Sequence, residues 1–116
     1  MDAEISPEAV EELCESATPP RIVDIRRPAA FRRGHIPGSQ NIPFDRLPET
    51  IETLEDADHI VTVCPHGQAS VQAARLIASY EGTQSARIES MHGGLTEWDG
   101  DLEAESPPEE GPESPF

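Results

Sequence analysis

Apolar residues fall into two rhythms along the chain. Val10, Leu13, Cys14 and Ala17 recur at the three-to-four spacing that lines one face of a helix. Ser6-Pro7-Glu8 precedes them with helix-start chemistry: a hydroxyl for the first free N–H groups, a proline at a position whose N–H has no partner, and an acid near the positive end of the dipole. Thr18-Pro19-Pro20 stops that helix. The second rhythm is continuous. Arg21-Ile22-Val23-Asp24-Ile25 and His59-Ile60-Val61-Thr62-Val63-Cys64 are short β-branched runs, the composition of strands buried on both faces. Gln40-Asn41-Ile42 reads as a short strand, and residues 86–89 as a last one. Between the strands, residues 26–33 predict a turn and short helix, 48–56 a helix, and 70–80 a helix with Val71, Ala74, Ile77 and Ala78 apolar. Gly93-Gly94 opens a short final helix that carries Trp98.

Strands alternating with helices predict an α/β fold, a parallel sheet with helices on both faces. Ligands in such folds bind beyond the carboxyl ends of the strands. Cys64 stands at such an end, directly before a helix.

Length and charge narrow the picture. A chain of 116 residues suits one domain. Residues 101–116 hold six acids, four prolines and no basic residue, so they predict a disordered acidic tail behind a domain over 1–100. The whole chain has 23 acids against eight basic residues, all of them Arg, for a net charge of −15. That charge repels a phosphate backbone, so no nucleic-acid partner is expected. An acidic, lysine-free composition predicts a halophilic protein, because salt screens its self-repulsion. No apolar run approaches the ~18 residues of a membrane span, so no membrane partner is expected either. Met1-Asp2-Ala3-Glu4 lacks secretory-leader chemistry, and the expected location is cytoplasmic. Cys14 and Cys64 match no zinc spacing, and no metal is expected. A disulfide between them is disfavoured in a reducing compartment.

Cys64-Pro65-His66-Gly67-Gln68-Ala69-Ser70 is a strand–loop–helix junction that begins with a thiol. A short loop containing Gly can curl so that successive N–H groups point inward, and the following helix adds its own unpaired N–H groups. A thiol at the centre of that nest ionises more easily and becomes a nucleophile. The alternative is a buried strand-end cysteine that only packs.

The motifs resemble a family. Asp24-Ile25-Arg26, Phe31 and Gly34-His35-Ile36-Pro37-Gly38-Ser39, with Asn41-Ile42-Pro43, look like the first signature of rhodanese domains. The Cys64–Ser70 loop resembles their active-site loop, and Gly93-Gly94-Leu95-Thr96-Glu97-Trp98 their C-terminal signature. The resemblance implies a three-layer rhodanese-like fold with a five-stranded parallel sheet. It implies a sulfurtransferase in which catalytic Cys64 takes sulfane sulfur from a small anion such as thiosulfate, or from a persulfide. The sulfur then passes to a thiophilic acceptor such as cyanide or a thiol, including a protein thiol. No metal or organic cofactor is implied. Pro65, His66, Gly67, Gln68, Ala69 and Ser70 would form the anion-binding loop.

The loop departs from the pattern in having no Arg or Lys; Ala69 stands where Arg is frequent. Arg32 and Arg33 are the candidate donor-binding cations. Asp24, Arg26 and His35 are candidate structural residues beside the site: Arg26 to pair with Asp24 or hold the loop, His35 to fix its own loop by hydrogen bonding. Cys14 and Trp98 read as packing residues and His92 as a solvated one. An alternative reading is a non-catalytic rhodanese-fold module for sulfur relay or regulation. Phosphatase chemistry is disfavoured, because position 70 is Ser where a phosphate-clamping Arg is needed.

Overall fold

The computed structural model describes residues 3–104. Its sheet has five strands: β1 (Glu4–Ile5), β2 (Arg21–Asp24), β3 (Gln40–Asn41), β4 (His59–Val63) and β5 (Arg87–Met91). Their spatial order is β1–β5–β4–β2–β3, with every pairing parallel. Four α-helices accompany them: α1 (Pro7–Cys14), α2 (Pro28–Arg33), α3 (Leu47–Thr50) and α4 (Ala69–Ala78).

The two apolar strands split their side chains between two cores. Val23, Ile25, Ile60 and Cys64 join Leu47, Ile51, Leu54, Ala73 and Ile77 on the α3/α4 face. Ile22, Val61, Val63 and Met91 join Val10 on the α1 face, with Cys14, Leu95 and Trp98 packed against them. Alternation along β4 thus puts Cys64 on the same face as Ile60. Helix α1 begins as its sequence dictates: Ser6 Oγ accepts the Ala9 N–H at 3.1 Å, and Pro7 occupies the first turn.

Several boundaries differ from expectation. Strand β1 was not predicted; two residues carry no period, and the strand exists because Ser90 N–H donates to Ala3 O and His92 N–H to Ile5 O. Strand β5 reaches Met91 instead of stopping at 89. The single helix expected over 48–56 is the one-turn α3 followed by a 3-10 segment, Ile51–Leu54. There the hydroxyls of Thr50 and Thr53 bond back to Arg46 O and Thr50 O, competition that loosens regular helix. The final helix is a 3-10 turn, Gly94–Glu97, with Trp98 just beyond it. Of the segment read as tail, Glu103 exchanges two backbone hydrogen bonds with His35, at 2.9 and 2.8 Å. Residues 105–116 of that segment lie outside the described residues.

Candidate active site

Cys64 leaves the end of β4 with its side chain only 2% exposed. The loop that follows turns back around its sulfur. Gly67 N–H donates to Sγ at 3.1 Å and Ser70 N–H at 3.3 Å, while Ser70 Oγ lies 3.3 Å away. No side chain caps the N-terminus of α4; the sulfur takes the place of a cap for the Ser70 N–H.

Two features hold the loop in this shape. Gly67 has φ +82°, and a Cβ there would stand 2.7 Å from Gly93 N. Only glycine tolerates both the left-handed backbone and the approach. The turn after β5 then grips the loop from the other side: Leu95 N–H donates to Cys64 O at 2.9 Å and Thr96 N–H to Pro65 O at 3.0 Å.

A buried hydroxyl chain stands behind the sulfur. Ser70 Oγ is 2.7 Å from Ser90 Oγ on β5, and Thr62 Oγ1 donates to Ser70 O at 2.7 Å. With Cys64 ionised, Ser90 donates to Ser70 and Ser70 to the sulfur, so each hydroxyl proton points toward the charge. Burial pushes the Cys64 thiol up. The Ser70 hydroxyl and the backbone N–H groups of Ser70, His66 and Gly67 outweigh burial and hold it below its ordinary value. The Cys14 thiol, packed at the α1 core and flanked by Glu11 and Glu15, is pushed up instead, by burial first and by those carboxylates next.

The remaining predicted residues divide. Asp24 is buried at the end of β2. Its carboxylate accepts the Arg26 N–H and the Arg26 guanidinium, whose NH2 also donates to Gly34 O at 2.7 Å. His35 is buried, stacks on Phe31 with ring centroids 3.8 Å apart, and holds Phe31 O through Nδ1 at 2.8 Å. These three tie together the segment between β2 and β3. Pro65, His66, Gln68 and Ala69 lie exposed on the rim of the loop, and Arg32 and Arg33 are exposed on the last turn of α2. No hydrogen bond or ion pair joins either arginine to the Cys64 loop among the described residues. His92 is exposed with Nδ1 3.4 Å from Glu4 Oε1, and Trp98 donates its indole N–H to Asp101 O. Sequence reasoning missed Ser90 and Thr62. Their signal is two hydroxyls inside buried strands, where apolar residues are otherwise the rule.

Among the described residues no cluster of His, Cys, Asp or Glu fits a metal ion, and no helix is long and apolar enough to cross a membrane.

A parallel sheet with a polarised thiol at a strand end and a loop of inward N–H groups defines an α/β domain built for cysteine nucleophilic chemistry. The model of the rhodanese-like domain family matches residues 6–101, and the chain belongs to that family. It is 34% identical over 94 residues to the thiosulfate sulfurtransferase GlpE of Pseudomonas aeruginosa, covering 81% of each protein. It is 35% identical over 78 residues to GlpE of Pseudoalteromonas translucida, covering 67% of this chain and 71% of that one. In fold it is similar to a rhodanese-like domain protein from Staphylococcus aureus, with a TM-score of 0.74 at 24% identity, over 90% of this chain and 99% of that one.

Proposed function

We propose that the chain is a sulfurtransferase that carries sulfane sulfur as a persulfide on Cys64. The observation that carries this reading is the convergence of the Gly67 N–H, the Ser70 N–H and the Ser70 hydroxyl on one buried strand-end sulfur. These donors stabilise the thiolate before attack and again when it departs. In the first step the Cys64 thiolate attacks the outer sulfur of the donor. A Cys64 Sγ–S bond forms, the donor's S–S bond breaks, and the donor remnant leaves with the electron pair. In the second, a thiophilic acceptor attacks the outer sulfur and Cys64 returns to the cradle as thiolate. Each step is a displacement at sulfur, so no external oxidant enters.

Thiosulfate is the first donor to test, because relatives 34% and 35% identical to this chain are thiosulfate sulfurtransferases. Its sulfite remnant carries two charges, and the rim residues from Pro65 to Ser70 supply backbone donors but no cation. Arg32 and Arg33 are assigned the donor's anionic end, and Asp24, Arg26 and His35 the support of the adjoining loop. The acidic, lysine-free composition supports a cytoplasm of high ionic strength as the working medium. The cation-free loop also favours a second reading, a relay module that receives sulfur only from a partner's persulfide. Thiosulfate:cyanide transfer by the wild type and by Cys64→Ser tests the first reading. Turnover by the wild type alone is the expected result; turnover by the Ser variant excludes it. Wild type that accepts sulfur from a persulfide and not from thiosulfate favours the relay.

A further inference from the structure

Ser90 is a fully buried hydroxyl in β5. Its backbone is fixed from both sides. Its N–H donates to Ala3 O at 3.1 Å, and the parallel register sets it opposite Thr62 of β4. Its Oγ has a single hydrogen-bond partner among the described residues, Ser70 Oγ at 2.7 Å. A buried hydroxyl proton left without an acceptor is costly, and this one has a single acceptor to reach, so Ser90 donates to Ser70.

That donation fixes what Ser70 can do. Ser70 Oγ accepts from Ser90, and its own proton is left for Cys64 Sγ, 3.3 Å away. Thr62 Oγ1 holds the carbonyl of the same residue at 2.7 Å, and the Ser70 N–H also faces the sulfur. The groups that favour charge on Cys64 are the Ser70 hydroxyl and the N–H groups of Ser70, His66 and Gly67; no ionised side chain is among them. The chain thus runs one way, from Ser90 through Ser70 to Sγ, and each donation strengthens the next.

We propose that Ser90 is a positioning residue for the discharge of sulfur: it locks the Ser70 hydroxyl proton onto Sγ, where charge reappears as the persulfide bond breaks. This role rests on the sulfur-transfer reading; the direction of the hydroxyl chain does not. In discharge to cyanide, the cyanide carbon attacks the outer sulfur and a C–S bond forms. The S–S bond breaks, Sγ keeps the electron pair, and thiocyanate departs. Before that step the charge sits on the outer sulfur, so a proton aimed at Sγ favours the departing thiolate over the persulfide. Loading runs the other way, because there the Cys64 thiolate attacks. A donor that stabilises this thiolate makes it a better leaving group and a weaker nucleophile. Ser90 therefore speeds the second half of the cycle and not the attack that begins the first.

Ser90→Ala, Ser70→Ala and the double variant, each in the full chain, test this against the wild type. The ultraviolet absorbance of the thiolate against pH, corrected with Cys64→Ser, reads the hydroxyl chain without any sulfur donor. Ser90→Ala should move the Cys64 midpoint up by about half a pH unit, and should move nothing in the Ser70→Ala background. Rapid mixing at one pH above both midpoints then separates the half-reactions. Discharge to cyanide should be about threefold to tenfold slower in Ser90→Ala, with loading from thiosulfate, or from inorganic polysulfide, not slowed. An unmoved midpoint, a shift that survives in the Ser70→Ala background, or equal slowing of both half-reactions overturns the proposal. Carbon NMR of the wild type covers a Ser90→Ala variant that does not fold: the Ser90 side-chain carbon should titrate with Cys64, and one that stays fixed overturns the proposal. A wild type that loads no sulfur overturns the sulfur-transfer reading, while the titration still decides the hydroxyl chain.

Discussion

Ser70 connects the sulfur to the rest of the molecule: its N–H and hydroxyl both face Cys64, its carbonyl takes the Thr62 hydroxyl, and its Oγ meets Ser90. Ser70→Ala removes the hydroxyl and strands Ser90 in a fully buried position, so it should cost about 1–3 kcal/mol of stability. It should also raise the thiol's pKa, since a donor to the thiolate is lost. Rates that depend on the thiolate increase with pH through the folded-state pKa, so the inflection of the pH–rate profile should move to higher pH in the variant. An unmoved inflection, measured from persulfide formation against pH, would mean the hydroxyl does not serve the charge. The stability linkage has a matching sign. A depressed thiol pKa adds stability that is present above the unfolded-state pKa and lost as pH falls through the folded one. At Gly67, Ala would force φ +82° on a residue with a Cβ and drive that atom toward Gly93 N. A loss of about 1–3 kcal/mol and a disordered cradle are expected from Gly67→Ala, checked by thermal unfolding and by the thiol's reactivity.

At the scale of elements, the cradle is the junction of β4 with α4, and its chemistry follows from leaving the helix start uncapped. Ala69, the first residue of α4, is exposed on the rim. Ala69→Arg should lower the KM for thiosulfate more than it changes kcat, because a rim cation adds ground-state binding of the sulfonate end. Steady-state kinetics at high salt check this; an unchanged, already low KM would show that the anion is held elsewhere. The junction itself was legible in the sequence, since an apolar β-branched run, a thiol and a Gly-bearing loop are all local signals. The same holds for α1, whose Ser6-Pro7 start is observed as a cap. What the sequence could not show is what pairing across the sheet brings together. Ser90 sits 20 positions from Ser70, and only the parallel β4–β5 register, Thr62 opposite Ser90, places it behind the sulfur. Strand β1 escaped for the same reason, being defined by its partner β5 and not by its two residues.

For the molecule as a whole, two properties govern behaviour in solution. One is charge. With a net −15, folding gathers like charges, and added salt should raise the thermal midpoint until screening is complete. A midpoint independent of KCl would remove the argument for a high-salt medium. The other is the attachment of residues 101–103 to the domain. Glu103 is bonded to His35 through both backbone groups, and the Trp98 indole donates to Asp101 O. Truncation after Gly100 should therefore lower the midpoint by several degrees, on the order of 4–8 °C per kcal/mol lost in a domain of this size. Truncation after Ala104 keeps those bonds and serves as the control. All of these effects modulate a reaction that depends on one atom. The direct test is the mass of the intact protein after thiosulfate and again after cyanide. The account predicts that the wild type gains one sulfur atom, located on Cys64 by peptide mapping, and loses it to cyanide, while Cys64→Ser gains none. Sulfur carried on Cys14 or on the Ser variant, or none loaded from thiosulfate or any persulfide donor, would contradict it.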